Sequence, residues 1–365
     1  MNRWKIGSLT AALGCVALGV ILVAAQFGSI GYGALAYLWP ILIILFGVEM
    51  LARVIFRSEG KTRISFWSIL LIVLLAAGSG VQTLFSGVSI GGWSVTGWNT
   101  LAGSISGSVD VGADIKKVEI HVTDAKVTAE GTDGGKVNYD GRLRAPGAST
   151  QEEADRITQE NWKVTTEQDT VILSQNDVKE GWLSDWSIGW SEDTYLKVTL
   201  PKQVEVEVYT SNGAVEVFNV DQSVVADTSN GKLNLRDIGG SVTAESNNGS
   251  IRLENIGGEA KVGSSNGSLT LTNIGGALQA KSSNGKIIAD SAVGGNWNLR
   301  TSNGKVEMML RDNPDVKLTA ETSNGSIKGN VNWTLDGEDD GTAQLGSGKY
   351  TIEVHTTNGS VTANQ

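Results

Sequence analysis

The chain has 365 residues and a formal net charge of −10, with 46 glycines, 4 prolines and a single cysteine, Cys15. A chain of this length can hold two or three domains. One cysteine excludes a disulfide framework and a thiolate metal site, and the acidic balance argues against nucleic acid, whose phosphates require a basic face.

The first 85 residues have the composition of a membrane region. They contain three apolar runs, Ile6–Ala25, Ala34–Phe56 and Phe66–Phe85. Each run is long enough to cross a bilayer core of about 30 Å, which takes about 20 residues in a helix. The sequence therefore predicts a membrane α-helical hairpin followed by a third span within residues 1–85.

The basic residues orient these predicted spans. Residues 1–85 carry six Lys or Arg against two Glu, which leaves a net charge of −14 for the remainder. Two of the basic residues precede the first run, and the other four lie from the end of the second run to the start of the third. Because positive loops stay in the cytoplasm, we expect a multi-pass plasma-membrane protein with a cytoplasmic N-terminus and an extracytoplasmic C-terminal domain.

The membrane region also resembles a known family. The residues that carry the resemblance are Gly19–Leu22, Leu38–Val48 with its Trp-Pro pair, and the basic segment Arg53–Arg57. They are similar to the membrane region of the LiaI/LiaF-like proteins of bacterial cell-envelope stress systems. The resemblance implies a bacterial plasma membrane and a regulatory role.

A transitional region follows the predicted spans. Residues 86–109 are rich in Gly, Ser and Trp and are typical of a juxtamembrane linker. Residues 110–209 contain several strand-like runs, and Ser149–Glu153 resembles the capping box of one short helix that ends near Asn161. The sequence predicts here a β-rich region that leads into the repeats and caps them.

Three tryptophans, Trp182, Trp186 and Trp190, lie at a spacing of four in one glycine-containing loop. One interpretation is an aromatic platform for sugar rings or the membrane interface, since a flat apolar face gains much from burial. The other is a cap on the β core, because a stack of repeats needs apolar cover at its ends. We favour the cap and keep the platform as the alternative.

An 18-residue repeat occupies residues 210–365. Asn-Gly pairs begin at 212, 230, 248, 266 and 284, and further pairs begin at 303, 324 and 358. An Ile-Gly-Gly turn lies in mid-period, and aliphatic residues alternate with polar ones between the turns. Each repeat is expected to be strand, turn, strand, turn, with Asn and Gly supplying the positive-φ positions of both turns. The predicted turn residues are Asn212, Gly213, Asn230, Gly231, Asn248, Gly249, Asn266, Gly267, Asn284, Gly285, Asn303 and Gly304.

Two architectures fit this repeat. In a parallel β-solenoid each repeat is one coil, and like residues such as Leu235, Leu253 and Leu271 stack about 4.8 Å apart inside it. In an antiparallel meander Asn-Gly would be a hairpin turn, but one apolar face would stay uncovered. We favour the solenoid, with the asparagines hydrogen-bonded from coil to coil and eight coils forming a rod of about 40 Å.

The repeats resemble a second family. Thr210–Gly213, the recurring Ser-Asn-Gly and Ile-Gly-Gly turns and Leu196–Pro201 are similar to a bacterial family of β-strand-repeat proteins of unknown function that carry the name "putative adhesins". The resemblance covers residues 110–365. It implies the repeat fold and an adhesin-like role, and it brings no catalytic residues to this chain.

No constellation of catalytic residues is evident in the sequence. The two histidines, His121 and His355, are far apart, and no nucleotide-binding glycine motif occurs. Asp336–Gly341 resembles the start of a calcium loop, but the twelfth position is Ser347, which cannot chelate as a bidentate acid does. We therefore expect no catalytic, cofactor or metal site and interpret this segment as an acidic surface loop.

These features together predict a non-enzymatic bacterial membrane protein that displays an extracytoplasmic β-solenoid for binding or scaffolding at the cell envelope. The alternative is a regulator of envelope-stress signalling that acts through its transmembrane region. The expected partners are the lipid bilayer and either a cell-wall or surface glycan or a membrane signalling protein. Nucleic acid is not expected.

Overall fold

The computed structural model of the protein describes residues 101–176 apart from 113 and 149, and residues 194–365 apart from 338. Of the first hundred residues it describes positions 10, 12, 13, 15–18, 41 and 44–48, and the backbone of 89–90 and 93–94. The chain divides into two compact units. The first comprises Met1–Thr100 with Glu180–Glu192, and the second comprises Leu101–Lys179 with Asp193–Gln365.

In the first unit the described positions between 10 and 48 are helical, and β1 (Ser89–Ile90) pairs antiparallel with β2 (Trp93–Ser94). Among the described residues, no helix combines the length and the apolar character needed to cross a membrane. The three spans predicted within residues 1–85 lie almost entirely outside the described residues.

The second unit consists of strands and one helix, α1 (Gln151–Asn161), in the part that the structure describes. The strands before the regular repeats are β3 (Ala102–Asp110), β4 (Lys117–Val122), β5 (Lys126–Thr132), β6 (Lys136–Arg144), β7 (Trp162–Glu167), β8 (Thr170–Gln175) and β9 (Tyr195–Pro201). Those that follow are β10 (Glu205–Thr210), β11 (Val215–Val220), β12 (Val224–Thr228), β13 (Leu233–Ile238), β14 (Val242–Ser246), β15 (Ile251–Ile256), β16 (Ala260–Ser264), β17 (Leu269–Ile274), β18 (Leu278–Ser282), β19 (Ile287–Ala292), β20 (Trp297–Thr301), β21 (Val306–Arg311), β22 (Val316–Thr322), β23 (Ile327–Lys328), β24 (Thr334–Asp336), β25 (Asp340–Leu345), β26 (Tyr350–Thr356) and β27 (Val361–Asn364).

These strands form two long sheets that face each other across an apolar core. Sheet I has 13 strands in the order β24-β25-β22-β26-β20-β18-β16-β14-β12-β10-β4-β8-β7. Sheet II has 12 strands in the order β23-β27-β21-β19-β17-β15-β13-β11-β5-β9-β6-β3. Each coil contributes one strand to sheet I and the next strand to sheet II, and neighbouring coils pair in parallel.

The predicted parallel β-solenoid is confirmed. Leu235 pairs with Leu253, which pairs with Leu271, and all three are fully buried. Inward residues alternate with outward ones along the strands of the central coils, except for one extra outward residue, such as Asp237, before the last inward position of the sheet II strands. The aliphatic columns of the two sheets therefore pack against each other. The described strands form ten coils, because β4 with β5 and β8 with β9 add two coils that lack the Asn-Gly motif to the eight that carry it.

The coils do not stack in chain order at either end. The coil β4–β5 lies between β8–β9 and β10–β11, although it comes first in the sequence. At the other end the last coil, β26–β27, lies between β20–β21 and β22–β23. The first and last coils of the chain are thus hydrogen-bonded on both sides, which protects the usual sites of fraying.

Antiparallel strands cover three of the four sheet edges. At one end β7 pairs with β8, and β6 with β3 extends sheet II beyond β9. At the other end β25 and β24 extend sheet I beyond β22. Such strands block edge-to-edge association of the parallel coils.

Two local expectations have different outcomes. The predicted helix is confirmed as α1, whose N-cap Thr150 accepts a hydrogen bond from the Glu153 amide at 3.2 Å. Residues 102–109, predicted as linker, instead belong to β3, which pairs with β6. The small residues that suggested a linker are packing positions, because a Cβ at Gly103 would clash with the backbone of α1 and one at Gly107 with the Tyr139 ring.

The turn chemistry differs from the prediction. None of the Asn-Gly corner residues has a positive φ. In the central coils the residues with positive φ are Asn219, Asp237, Asn255 and Asn273, which lie just before the other corner. The prediction that Asn-Gly supplies positive φ is therefore wrong. Glycine is needed at this corner because coils approach closely, and a Cβ at Gly231 would clash with the backbone carbonyl of the preceding coil.

Candidate functional site

The predicted Asn-Gly turn residues form an exposed amide ladder along one corner of the solenoid. Asn230 Nδ2 donates to Asn212 Oδ1 at 2.7 Å, and the same bond recurs from Asn248 to Asn230 and from Asn266 to Asn248. The ladder begins at the Asp124 carboxylate and follows the spatial order of the coils, not the order of the chain. Its members are Asp124, Asn212, Asn230, Asn248, Asn266, Asn284, Asn303, Asn358 and Asn324.

A second ladder of buried hydroxyls runs behind the amides. Ser246 Oγ accepts from the Gly249 amide at 2.9 Å and donates to the Gly231 carbonyl of the preceding coil at 3.1 Å. The equivalent hydroxyls are Thr228, Ser264, Ser282 and Thr301. Sequence reasoning missed this column, although a Ser or Thr stands three residues before each of these glycines. The corner is thus occupied by bonds that hold the coils together.

Trp182, Trp186 and Trp190 lie outside the described residues, so the platform and the cap both stay hypotheses for that loop. The calcium-like segment forms a hairpin in which Asp336 is paired with Asp340 across β24 and β25. Ser347 donates to the Asp315 carboxylate at 2.9 Å. Among the described residues, no group of three or more His, Cys, Asp or Glu side chains is arranged to hold a metal.

The outward side chains of sheet I form a continuous charged surface. Parallel pairing places equivalent residues of neighbouring strands side by side, so these side chains form columns across the sheet. One column runs through His121, Tyr209, Asp227, Glu245, Gly263, Lys281, Arg300, His355 and Glu321. We call it the charged column.

A closed polar cluster occupies one end of this face. Lys117 Nζ lies 2.6 Å from Glu119 Oε1 and 3.3 Å from Glu207 Oε1, and His121 Nε2 lies 3.4 Å from Glu119 Oε2. The Tyr209 hydroxyl donates to Glu207 Oε2 at 2.9 Å, and its ring stacks on His121 with centroids 4.9 Å apart. The cluster pairs its own charges, which suits a structural clasp between β4 and β10.

The pKa values of this cluster follow from those contacts. The hydrogen bond from Lys117 holds the pKa of Glu119 below its ordinary value, and the same bond raises the pKa of Lys117. Burial, together with the hydrogen bond to Glu207, raises the pKa of Tyr209 to about 12. The phenol therefore stays protonated and keeps donating at neutral pH. His355 is seven strands away from His121 in sheet I, where it contacts Glu321 at 3.4 Å, so the two histidines do not form one site.

The centre of the face is a depression at Gly263. A Cβ added there would meet only Glu245 Cγ, at 3.9 Å, and Gly263 has no positive φ. The depression has a volume of about 480 Å³ and is lined by Glu245, Lys261, Gln279, Lys281, Asn298 and Arg300. Lys261 Nζ lies 3.7 Å from Glu245. Sequence reasoning missed this place, because only the sheet order brings these residues together.

Comparison with known proteins gives a family for the chain. A protein-family model described as Toastrack DUF4097 matches residues 115–364. No curated protein matches the chain.

Three solved structures are similar to the chain. A "putative adhesin" from Bacteroides fragilis NCTC 9343 is 14% identical with a TM-score of 0.42, and the match covers 71% of this chain and 96% of that one. A "putative cell adhesion protein" from Clostridium sporogenes ATCC 15579 is 14% identical with a TM-score of 0.26, over 72% and 99% of the two chains. A "putative adhesin" from Parabacteroides distasonis ATCC 8503 is 11% identical with a TM-score of 0.35, over 71% and 96%.

Proposed function

The chain belongs to the Toastrack DUF4097 family, and we propose that its solenoid is a non-enzymatic platform for binding or scaffolding at the bacterial cell envelope. The observation that carries this proposal is the interlocked stack of ten coils, which holds rows of outward side chains in fixed register. A surface of this kind presents many equivalent positions at a regular spacing of about 4.8 Å. Such a repeated surface suits an extended or repetitive partner, and a cell-wall or surface glycan is the partner we propose.

Two further features support a rigid platform. The amide and hydroxyl ladders add bonds between coils beyond those of the sheets, with lengths of 2.7 to 3.2 Å in the central coils. The first and last coils of the chain are hydrogen-bonded to other coils on both sides, so neither lies at an open end of the stack. A platform of this construction keeps its outward residues in place without a partner.

We propose that the platform is anchored in the plasma membrane and faces the outside of the cell. The three apolar runs of residues 1–85 and their basic flanks support the anchor and its orientation. A protease added to intact cells or protoplasts should then remove a tag placed after Gln365. A cytoplasmic protein carrying the same tag serves as the control. Protection of the tag until the membrane is broken would contradict this topology.

A competing proposal places the function in the membrane region. The LiaI/LiaF-like residues Leu38–Val48 and Arg53–Arg57 support a regulator that contacts a membrane signalling protein. Deleting residues 101–365 separates the two proposals. Loss of envelope binding with an unchanged stress response supports the platform, whereas regulation that depends on residues 1–100 alone supports the regulator.

A further inference from the structure

The charged column of sheet I has an unusual order of charges. Parallel pairing places Asp227, Glu245, Gly263, Lys281 and Arg300 side by side on five neighbouring strands. Read across the sheet, their charges are negative, negative, none, positive and positive. The order is antisymmetric about Gly263, because each acid has a base at the same distance on the other side.

The antisymmetry extends beyond these five residues. Three strands from Gly263 stand Tyr209 on one side and His355 on the other. Four strands away stand His121 and Glu321, again a pair of groups that attract each other when the histidine is protonated. The charges are therefore complementary from β12 to β20 and again at β4 and β22, with the neutral Tyr209 opposite His355 between them.

In a single copy of the chain, as far as the structure describes it, only one of the four charges that flank Gly263 in the column, Glu245, has a counter-charge nearby, the Lys261 ammonium at 3.7 Å. Neighbouring like charges on paired strands repel each other. Among the described residues, neither Lys281 nor Arg300 forms an ion pair, and the Asp227 carboxylate accepts no hydrogen bond. Burial and the neighbouring Glu245 raise the pKa of Asp227, which is the sign of a carboxylate without a counter-charge. A partner that supplied the opposite charges in the reverse order would relieve the repulsion between Asp227 and Glu245 and that between Lys281 and Arg300.

Gly263 is the second feature that points to a close partner. At every other glycine between residues 205 and 328, an added Cβ would come within 3.0 Å of backbone or turn-hydroxyl atoms, so the glycine has a structural reason. Gly263 alone in that range lacks such a contact, and its added Cβ would have only one neighbour, at 3.9 Å. Glycine within a strand weakens the strand and often marks a place where another chain approaches closely.

We propose that the outer face of sheet I is a homodimer interface, with a two-fold axis that runs parallel to β16 and passes over Gly263. With such an axis the strands of the second copy run in the same direction as those of the first, but their order across the sheet is reversed. Glu245 then faces Lys281 of the second copy, Asp227 faces Arg300, and the two Gly263 residues meet on the axis. The contact is isologous, so each complementary pair occurs twice.

The face is large enough for a stable contact. Nine strands at about 4.8 Å and five residues at about 3.3 Å give a face of about 700 Å², so two copies bury about 1,400 Å², within the range of specific interfaces. Two like-charge contacts also arise in this arrangement, because Lys261 meets its own copy on the axis and Glu207 faces Glu353. Each has a counter-charge in its own copy, since the Lys261 ammonium lies 3.7 Å from Glu245 and Glu207 lies 3.3 Å from Lys117. Because the complementary charges are near the surface, the dimer should weaken as salt rises.

Cysteine cross-linking in the full chain tests this geometry. With Cys15→Ser as background, Gly263→Cys places one thiol on the axis, and oxidation of a cell lysate should yield a disulfide-linked dimer. Thr243→Cys and Gln279→Cys should each cross-link poorly alone and well when the two variants are mixed. Thr272→Cys, on the outer face of sheet II, is the matched control. Gly263→Cys chains that react with a maleimide but cross-link no better than the control would overturn the proposal.

Charge reversal in the Gly263→Cys background tests the pairing itself. Lys281→Glu with Arg300→Glu should reduce the cross-linked dimer at least tenfold, and so should Asp227→Arg with Glu245→Lys. A mixture of the two double variants, or all four changes in one chain, should restore it. If only the Lys281→Glu and Arg300→Glu double variant reduced the cross-linked product, the basic residues would be binding a small anion in the Gly263 depression, and the dimer would be overturned.

This inference rests on the proposed binding role and names a second copy of the chain as one partner. The lysate assay does not depend on where the domain resides in the cell. A failed protease experiment therefore leaves the dimer intact, and a failed cross-link leaves the proposed topology intact.

Discussion

Asn248 Nδ2 lies 2.7 Å from Oδ1 of Asn230, one coil away, and this single bond repeats along the whole corner of the solenoid. Each internal asparagine donates to one neighbour and accepts from the other. A ladder of this kind uses both ends of the amide, and only asparagine and the longer glutamine carry a donor and an acceptor in this arrangement.

We predict that Asn248→Ala lowers the free energy of unfolding by about 1 kcal/mol, because two exposed side-chain hydrogen bonds are lost. Urea unfolding of the full chain measures this change. Asn234→Ala is the matched control, since its amide lies on the outer face of sheet II and makes no hydrogen bond among the described residues. Equal losses for the two variants would contradict a stabilising role for the ladder.

We predict a larger loss, of about 1–3 kcal/mol, for Ser264→Ala, because the Gly267 amide and the Gly249 carbonyl lose a buried partner. Ser264→Thr should retain stability, since threonine occupies the equivalent position at 228. Ser265→Ala, one residue further on and exposed, is the control. A Ser264→Ala variant as stable as Ser265→Ala would contradict the buried ladder.

The two kinds of glycine should respond in opposite directions. Gly249→Ala places a methyl group against the Gly231 carbonyl and should cost about 3 kcal/mol or prevent folding. Gly263→Ala meets no atom closer than 3.9 Å and should raise the free energy of unfolding by about 0.5–1 kcal/mol, measured in dilute protein. Thermal or urea unfolding of both variants checks the contrast. A destabilised Gly263→Ala would mean that this glycine has a structural role.

The ion pair between Arg311 and Asp290 predicts a pH-dependent contribution to stability. Arg311 Nη2 lies 2.7 Å from Asp290 Oδ2, and the hydrogen bond from Arg311 holds the pKa of Asp290 below its ordinary value of 3.8. A lowered carboxyl pKa stabilises the fold above the ordinary value, and this stabilisation is lost as the pH falls through the lowered pKa.

Arg311→Gln should therefore lower stability at pH 7, and its difference from the parent chain should disappear in acid. Because both side chains are partly exposed and screened by solvent, the loss at pH 7 should be small. Arg252→Gln, on the same outer face and without an ion pair among the described residues, is the control. A difference that persists at pH 2 would show that Arg311 acts through packing and not through its charge.

The repeat, the inward columns and the parallel stacking could be predicted from the sequence because they depend on local periods. An aliphatic residue at 235, 253 and 271 specifies both the buried face and the neighbour in the next coil. The turn chemistry could not be predicted, since an Asn-Gly pair fits a positive-φ turn and a crowded corner equally well. The buried hydroxyls also escaped prediction, because Ser246 or Thr228 in a strand has the appearance of a surface residue.

The candidate binding face could not be predicted from local sequence patterns, because it depends on the spatial order of the strands. Arg300 and His355 are neighbours in sheet I although they are 55 residues apart, because the last coil lies between two earlier ones. His121 likewise meets Tyr209 only because β4 pairs with β10. The antisymmetric charges could be recognised only after the spatial order of the strands was known.

The interlocked coil order is the claim on which the platform and its charged face both depend, and one disulfide experiment tests it most directly. Asn298 and Glu353 are paired on neighbouring strands, and Thr319 is paired with Glu353 on its other side. In the Cys15→Ser background, the pair Asn298→Cys and Glu353→Cys should form an intramolecular disulfide, since paired strands bring Cα atoms within about 5.5 Å. The pair Asn298→Cys and Thr319→Cys, two strands apart, should form none. A disulfide between positions 298 and 319, with none between 298 and 353, would mean that the coils stack in chain order and would contradict the account.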